Sequence, residues 1–375
     1  MMQNRKGLSL FQLIDRKKFD ALAEKWEIDK GIRTFSTWEL TQALIHVYVM
    51  KLQSFREVEA TLGIPNSTFS EALQKRHFGF FQELCEMVLL TIKSETRNRK
   101  VKKAIREILA MDSSDIRVHG SLFNLPGFQQ RCTKDHKAAV KLHVVWNVED
   151  EWIDDFRITP GRTGDSPTSL KQEVLPGKMY VFDRAYNNVE FWEKIINLKS
   201  HFVTRMKTSK KNRILERALT GTITSKYGLL CERSYKPSTK RLKELSLVLR
   251  HIVYRDEKTQ KFFHFITSDQ NISGLEVAEI YKKRWAVELL FKWLKSHLSI
   301  RYLSTRTPNS IETQLATAVL VQLLLKLQKI TQEMSLTTWE ILRELRTRLQ
   351  IIGLTNIDVP PGCRWSPAPG TGLTA

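Results

Sequence analysis

The 375-residue chain is 42% apolar, enough for packed cores in two or three domains, so its composition excludes a disordered tail. Lys and Arg number 60 against 40 Asp and Glu, which gives a net charge of +20 and a pI near 9.8. A compact protein with this charge repels itself, and a polyanionic partner is therefore the first expectation.

The sequence predicts a soluble protein that is not exported. The first twenty residues lack an apolar run of signal-peptide length, and the longest mainly apolar stretch, residues 316–325, is about half of the ~20 residues that a membrane span requires. The four cysteines are far apart and form no CxxC pair, which predicts reduced thiols rather than a zinc site or a disulfide framework.

The basic residues are concentrated in three segments. Residues 199–261 hold 17 Lys or Arg against 5 Asp or Glu, residues 281–306 hold 7 against 1, and residues 93–107 hold 7 against 2. A single basic segment usually forms part of a solvated surface. Three runs in an otherwise slightly acidic chain favour contact with nucleic-acid phosphates.

Residues 1–104 are predicted to form a helical N-terminal domain that binds DNA, because apolar residues recur at three-to-four spacing and strand signals are few. Within it, residues 55–76 contain a short helix, a break at 63–66, and a second helix that Thr68 and Glu71 would open as a capping box. This pattern fits a helix-turn-helix, whose second helix enters a major groove, and it fits an ordinary helical hairpin equally.

Residues 105–206 alternate between strands and short helices. The predicted strands cover 108–111, 138–148, 152–159, 178–182 and 201–206, and the predicted helices cover 165–171 and 189–198. This order predicts a mixed α/β sheet with helices on its faces.

The alternation stops at residues 207–270, which we interpret as a basic, mostly β insertion with β-rich pieces at 244–254 and 261–267 and one helix at 212–219. Residues 271–310 contain a strong helix at 275–298. Residues 311–375 are predicted to form C-terminal helices, ending in a Pro/Gly-rich flexible tail from residue 360.

Three acidic residues are distinguished by their positions. Asp112 and Asp183 each end a predicted strand, where side chains face the ligand crevice of an open α/β sheet. Glu288 lies on the helix at 275–298. On that helix it shares one face with Tyr281, Arg284 and Lys295, beside a stripe of Trp285, Leu289 and Trp293 that we expect to pack on the sheet.

Three carboxylates suit a pair of Mg²⁺ ions, which activate a water and stabilise the leaving oxygen in phosphodiester cleavage. Tyr281, Arg284 and Lys295 would then hold phosphates beside the scissile bond. The alternative is a solvated surface helix on which Glu288 pairs with Arg284 or Lys292.

The spacing Y-x2-R-x3-E-x6-K, formed by Tyr281, Arg284, Glu288 and Lys295, resembles the YREK signature of the insertion-sequence 4 family of DDE transposases, which includes the transposon-five-like enzymes. FITS at residues 265–268 and VFDRAYNNVEFWEKI around Asp183 resemble the same family. The resemblance spans residues 108–325. It implies a ribonuclease-H-like catalytic core with a β insertion, preceded by an all-helical N-terminal domain and followed by C-terminal helices.

The resemblance also implies the site residues. The catalytic and metal-binding acids would be Asp112, Asp183 and Glu288, with two Mg²⁺ (or Mn²⁺) ions as cofactors. Asp112 is preferred to Asp115 because the family's first acid directly follows the apolar strand. Asp165 is interpreted as a helix N-cap. The DNA-binding residues would be Tyr281, Arg284, Lys295, Arg184 and Lys292.

The implied function is cut-and-paste DNA transposition: binding of terminal inverted repeats and target DNA, followed by strand cleavage and strand transfer. The resemblance further implies a homodimer in a synaptic complex, without membrane contact, in the bacterial cytoplasm and on the nucleoid when bound. Two alternatives are a DNA-binding repressor with a degenerate nuclease fold and a metal-dependent nuclease without strand transfer. A hairpin route and direct hydrolysis both stay open.

Overall fold

The computed structural model describes residues 10–99, 107–129, 137–206, 228–235, 249–300, 302–303 and 305–352. The helix predicted at 212–219 and the tail from residue 360 lie outside these ranges.

The chain divides into two compact units. Residues 1–101, 116–139 and 292–375 form the first unit, and residues 102–115 and 140–291 form the second. The described N-terminal and C-terminal helices pack together in the first unit.

The described helices and strands follow in chain order. The helices are α1 Arg16–Lys25, α2 Thr37–Met50, α3 Phe55–Leu62, α4 Asn66–Lys75, α5 Phe78–Arg99, α6 Asp165–Lys171, α7 Val189–Asn197, α8 Gly274–Lys283, α9 Trp285–His297, α10 Pro308–Thr331 and α11 Thr338–Ile352. The strands are β1 Ile108–Val118, β2 Ala139–Asn147, β3 Trp152–Pro160, β4 Met179–Phe182, β5 His201–Arg205, β6 Gly228–Tyr235, β7 Leu249–Arg255, β8 Phe262–Thr267 and β9 Tyr302–Leu303.

Helix α10 is the centre of the first unit. It packs against α2, α5 and α11, and the Tyr48 hydroxyl of α2 donates a hydrogen bond to the Gln314 carbonyl of α10 at 2.6 Å. By length and composition α10 could cross a membrane, but 94% of its most apolar window is buried inside the protein. Its apolar character is therefore that of a core helix.

Helices α3 and α4 occupy the segment predicted as a helix-turn-helix or helical hairpin. Helix α3 begins after its N-cap Ser54 and ends at Gly63, which has a left-handed backbone (φ 66°) that glycine adopts without strain. The predicted capping box of the second helix is wrong. Helix α4 starts at Asn66, so Thr68 already lies in its first turn and cannot cap it.

The sheet has the strand order β3-β2-β1-β4-β5-β8-β7-β6, and β9 pairs with the end of β1. Strands β1, β4 and β5 are parallel, whereas β8, β7 and β6 continue the sheet in antiparallel fashion. Strand β8 pairs with β5, so backbone hydrogen bonds join the last part of the predicted β insertion to the central sheet.

Both faces of the central sheet are covered, as parallel strands require. All four residues of β4 are buried. Tyr180 and Phe182 belong to one apolar cluster with Phe191 and Trp192 of α7, and Val181 belongs to a second cluster, which includes Val277 and Tyr281 of α8.

The predicted helix at 275–298 is two helices that meet at Arg284. Ser273 and Glu276 form a capping box at the start of α8. At the junction, the Arg284 N–H bonds to the Tyr281 carbonyl at 3.1 Å, and the Val287 N–H bonds to the Arg284 carbonyl at 3.2 Å. Both bonds span three residues, so the chain makes a tight 3₁₀-type turn at this point.

The apolar stripe predicted on this segment is wrong for two of its three members. Trp285 is 57% exposed and Leu289 is 51% exposed. The side chains of α9 that face the protein core are instead Val287, Leu290, Phe291 and Leu294. They recur at three-to-four spacing, which is the pattern of a buried helix face.

Candidate active site

Asp112 and Asp183 follow the last paired residues of two adjacent parallel strands. Met111 of β1 is in register with Phe182 of β4, and each acid is the next residue along its strand. Strand β1 itself continues to Val118, so the predicted end of the first strand at residue 111 is wrong, but its pairing with β4 stops at Met111 and Phe182 and leaves the two acids side by side. Asp115 is three residues further along β1 and lies on the opposite face of that strand from Asp112.

The Asp112 carboxylate is mostly buried and in contact with charged groups. It accepts hydrogen bonds from the Ser113 backbone N–H at 2.8 Å and from Arg284 Nη1 at 3.1 Å. Burial raises the pKa of Asp112 to about 6; the negative charges of Glu288 and Asp183 also raise it, while Ser113 and Arg284 oppose the shift. The loss of solvation on burial therefore outweighs the stabilisation that Ser113 and Arg284 give to the charged form of Asp112.

Asp183 precedes a short 3₁₀ turn, Arg184–Tyr186. The hydroxyl of Tyr281 donates to Asp183 Oδ1 at 3.4 Å, and the Tyr281 ring is buried between the sheet and α8. Burial raises the pKa of Tyr281, which keeps this hydroxyl protonated as a donor. Arg184 is exposed.

Arg284 connects two of the three acids. Its guanidinium forms ion pairs with Asp112 at 3.1 Å and with Glu288 one turn further on, and it lies 5.6 Å from the centroid of the Tyr281 ring. The side chain is 13% exposed. Arg284 and Glu288 therefore pair as the alternative interpretation expected, but they do so beside Asp112 and not on an isolated surface helix.

Lys292 and Lys295 lie further along α9, and both fall in the first unit. Lys292 is exposed and Lys295 is half-buried. Lys295 lines a cavity of about 380 Å³ in the first unit, together with Lys51 and Phe55 at the start of α3.

The sequence did not reveal a polar cluster next to Asp112. Asp165 is not the N-cap of α6, since Gly164 holds that position. Its carboxylate instead accepts hydrogen bonds from Ser113 Oγ and Lys141 Nζ, close to His143. One signal was present: Lys141 and His143 are polar residues at alternate positions of an otherwise apolar strand, and both are buried.

The carboxylates fit a hard divalent cation. Asp112 and Asp183 supply oxygen ligands side by side on adjacent strands. Within the described part of the chain, no three His, Cys, Asp or Glu side chains are grouped closely enough to hold an ion. The Arg284 guanidinium occupies the space between Asp112 and Glu288, so Glu288 could join a cation only after Arg284 moves.

The structure thus places Asp112 and Asp183 side by side on adjacent strands and joins Glu288 of α9 to Asp112 through Arg284. A family profile described as "Transposase DDE domain" matches residues 103–324, more than half of the chain, and the chain therefore belongs to this family of transposases. The predicted family and the ribonuclease-H-like fold are confirmed. Residues 9–70 match a second profile, described as a domain of unknown function (DUF4372).

Three relatives are named as transposases. The putative transposase y4zB of Sinorhizobium fredii is 26% identical over 59% of this chain, and the match spans 63% of that relative, less than two thirds of its length. The probable transposase for insertion sequence element IS5377 of Geobacillus stearothermophilus is 25% identical over 84% of this chain and 82% of its own length. The putative transposase for element IS4SA of Synechocystis is 28% identical over 75% and 76%.

One solved structure shares the fold. It is a piggyBac transposase in a synaptic complex with hairpin DNA, with a TM-score of 0.52 and 12% sequence identity, and the alignment covers 97% of this chain and 86% of that one. DDE transposases use divalent metal ions, which agrees with the oxygen ligands of this site.

Proposed function

We propose that this transposase binds the terminal inverted repeats of its own element, cleaves a DNA strand at each end, and joins the freed 3′-hydroxyl to target DNA. The observation that carries the proposal is that Asp112 and Asp183 lie side by side on adjacent strands and that Arg284 joins Asp112 to Glu288. Three acids with one buried arginine suit an enzyme that accommodates both cations and a phosphodiester.

Asp112, Asp183 and Glu288 would hold two Mg²⁺ or Mn²⁺ ions. Such ions supply activation of the attacking water and stabilisation of the leaving oxygen. The chain's own residues orient the substrate: Tyr281 would hold a phosphate beside Asp183, and Arg284 would exchange its carboxylate partners for a phosphate. Exposed Arg184 and Lys292, with Lys295, would contact phosphates of the DNA backbone.

Helices α3 and α4 would contact the inverted repeat, since they form two short helices joined by a tight turn within the basic chain. Because two element ends must be joined, the active form would be a homodimer in a synaptic complex. The protein would act in the bacterial cytoplasm on nucleoid DNA. A hairpin intermediate and direct hydrolysis would both use this site.

The test combines the purified full-length chain with linear DNA that carries both element ends inside flanking sequence, together with a supercoiled target and Mg²⁺. We expect cleavage at the element ends, a 3′-hydroxyl on each end, and joined products. Cleavage without joining would favour a nuclease. End binding without cleavage, under Mg²⁺ and Mn²⁺ alike, would favour a repressor with an inactive core.

A further inference from the structure

A buried polar cluster lies beside Asp112 of β1. We call it the Asp165 cluster; its members are Ser113, Lys141, His143, Asp165 and Tyr186. Asp165 is central, because its Oδ1 accepts hydrogen bonds from Ser113 Oγ at 2.7 Å and from Lys141 Nζ at 3.3 Å, with His143 Nδ1 3.7 Å away.

The donors around Asp165 are themselves fixed by burial and by hydrogen bonds. Lys141, His143 and Tyr186 are at most 9% exposed. His143 contacts the Tyr186 hydroxyl at 3.2 Å through Nδ1 and the Thr159 hydroxyl at 2.9 Å through Nε2. Burial of such groups costs free energy unless each is satisfied, so the cluster has one preferred arrangement.

The Asp165 cluster reaches both Asp112 and Asp183. Ser113, which Asp165 holds by its hydroxyl, donates its backbone N–H to Asp112 Oδ1 at 2.8 Å. Tyr186 closes the 3₁₀ turn that follows Asp183, and its N–H bonds to the Asp183 carbonyl at 3.0 Å. Asp165 therefore constrains Asp112 through Ser113, and it constrains Asp183 through His143 and Tyr186.

We propose that Asp165 is a positioning residue of the active site: through Ser113 it holds the Asp112 carboxylate in the orientation that a divalent cation requires. The inference rests on the proposed function, and Asp165 itself touches neither cation nor DNA. Groups that orient metal ligands by hydrogen bonds change metal affinity or activity by about 10- to 100-fold when they are removed. The competing account is a purely structural role, in which Asp165 only stabilises the fold.

The experiment measures Mn²⁺ binding to the full-length protein without DNA, by the electron paramagnetic resonance signal of the free ion. It compares wild type with Asp165→Ala, Asp165→Asn and Ser113→Ala. We expect about 10-fold weaker Mn²⁺ binding for Asp165→Ala and a similar loss for Ser113→Ala, with end binding unchanged. Asp165→Asn, which keeps the acceptor oxygen, should recover part of the affinity.

Two comparisons separate positioning from stability. The double variant Asp165→Ala/Ser113→Ala should bind Mn²⁺ no more weakly than the weaker single variant, because both changes break one connection. Asp155→Ala is the matched control: Asp155 is also a half-buried acid of this sheet, but its partner is Gln172. This control should lower thermal stability and leave Mn²⁺ affinity at the wild-type value.

Wild-type Mn²⁺ affinity in both folded Asp165→Ala and folded Asp165→Asn would overturn the inference. If Asp165→Ala fails to fold, Ser113→Ala and Asp165→Asn decide the matter by the same measurement. Failure of the proposed function is distinguishable, since it would appear as absent end cleavage by the wild type.

Discussion

Arg284 donates a hydrogen bond to Asp112 over 3.1 Å, although 172 residues of chain separate them. The same guanidinium is paired with Glu288 on the following turn. The Arg284 guanidinium therefore lies between Asp112 and Glu288, two of the three acids proposed to hold metal ions. Its positive charge neutralises these carboxylates in the ion-free protein. The binding of metal ions and the binding of a DNA phosphate must both compete with the two ion pairs of Arg284.

We first predict that Arg284→Ala destabilises the ion-free protein. Removing one partner of a buried ion pair leaves uncompensated charge, and here two carboxylates lose their partner, so a loss of about 3 kcal/mol in the free energy of unfolding is expected. Denaturant unfolding in EDTA measures it. Saturating Mg²⁺ should restore most of the loss, because the ions replace the missing charge.

The same variant should also weaken end binding and end cleavage, since its phosphate contact is gone. Arg284→Lys is the matched control, which keeps the charge but lacks the planar fork that joins two carboxylates. An Arg284→Ala protein with unchanged stability in EDTA would contradict the assigned pairing.

Two neighbouring leucines of α9 test which face of this helix packs against the core. Leu289 is 51% exposed and Leu290 is 6% exposed. Leu290→Ala should cost about 2–5 kcal/mol of unfolding free energy, whereas Leu289→Ala should change it by less than about 0.5 kcal/mol. Thermal and denaturant unfolding of the two variants decide this. Equal losses would return Leu289 to the buried stripe predicted from sequence.

The stability of the protein should fall on mild acidification because of His251. This side chain is fully buried, and burial lowers its pKa to about 4, helped by His264 and Arg233. Below pH 6.5, the ordinary pKa of histidine, His251 becomes protonated in the unfolded chain but stays neutral in the folded protein. The contribution of His251 is therefore complete above pH 6.5 and declines as the pH falls toward 4, by roughly 3 kcal/mol in all.

The measurement is the unfolding free energy of wild type and His251→Gln between pH 7 and pH 4. The variant should be less stable at pH 7 and show a shallower decline. Parallel curves would mean that His251 does not titrate differently in the folded state.

DNA binding should weaken steeply with salt, because three basic segments supply most of the excess charge. The logarithm of the binding constant should fall linearly with the logarithm of the salt concentration. Lys292→Ala and Lys295→Ala should each reduce the slope by about 1. Lys178→Ala is the control, since Lys178 pairs with Glu107 at 2.6 Å and should leave the slope unchanged. A shallow wild-type slope would exclude phosphate contact as the main source of affinity.

Local patterns predicted the elements that depend on local sequence. The helix at 165–171 has its predicted bounds in α6, and the strands at 152–159 and 178–182 differ from β3 and β4 by one residue, because their apolar periodicity is set within each segment. Strand β6 was missed, since its side chains are partly buried or exposed and no alternation marks it.

Site residues whose role follows from their position within one segment were predicted. Those whose role depends on contacts between distant segments were missed. Asp183 was correctly predicted to follow a strand, whereas Asp112 lies within β1, which continues to Val118. The partner of Asp165 is Ser113, 52 residues earlier, and no local pattern connects them. The tight turn at Arg284 likewise arises at the junction of two helices, and it left Trp285 exposed where a regular helix predicted burial.

The most direct measurement of the central claim is end cleavage by Asp112→Asn, Asp183→Asn and Glu288→Gln, each assayed beside end binding on the same DNA with Mg²⁺. The control is Asp115→Asn, an acid three residues from Asp112 on the opposite face of β1. We expect the three site variants to bind the element ends with near wild-type affinity and to lose cleavage activity by at least about 100-fold. Asp115→Asn should cleave normally. Wild-type cleavage by any of the three would contradict its place in the active site.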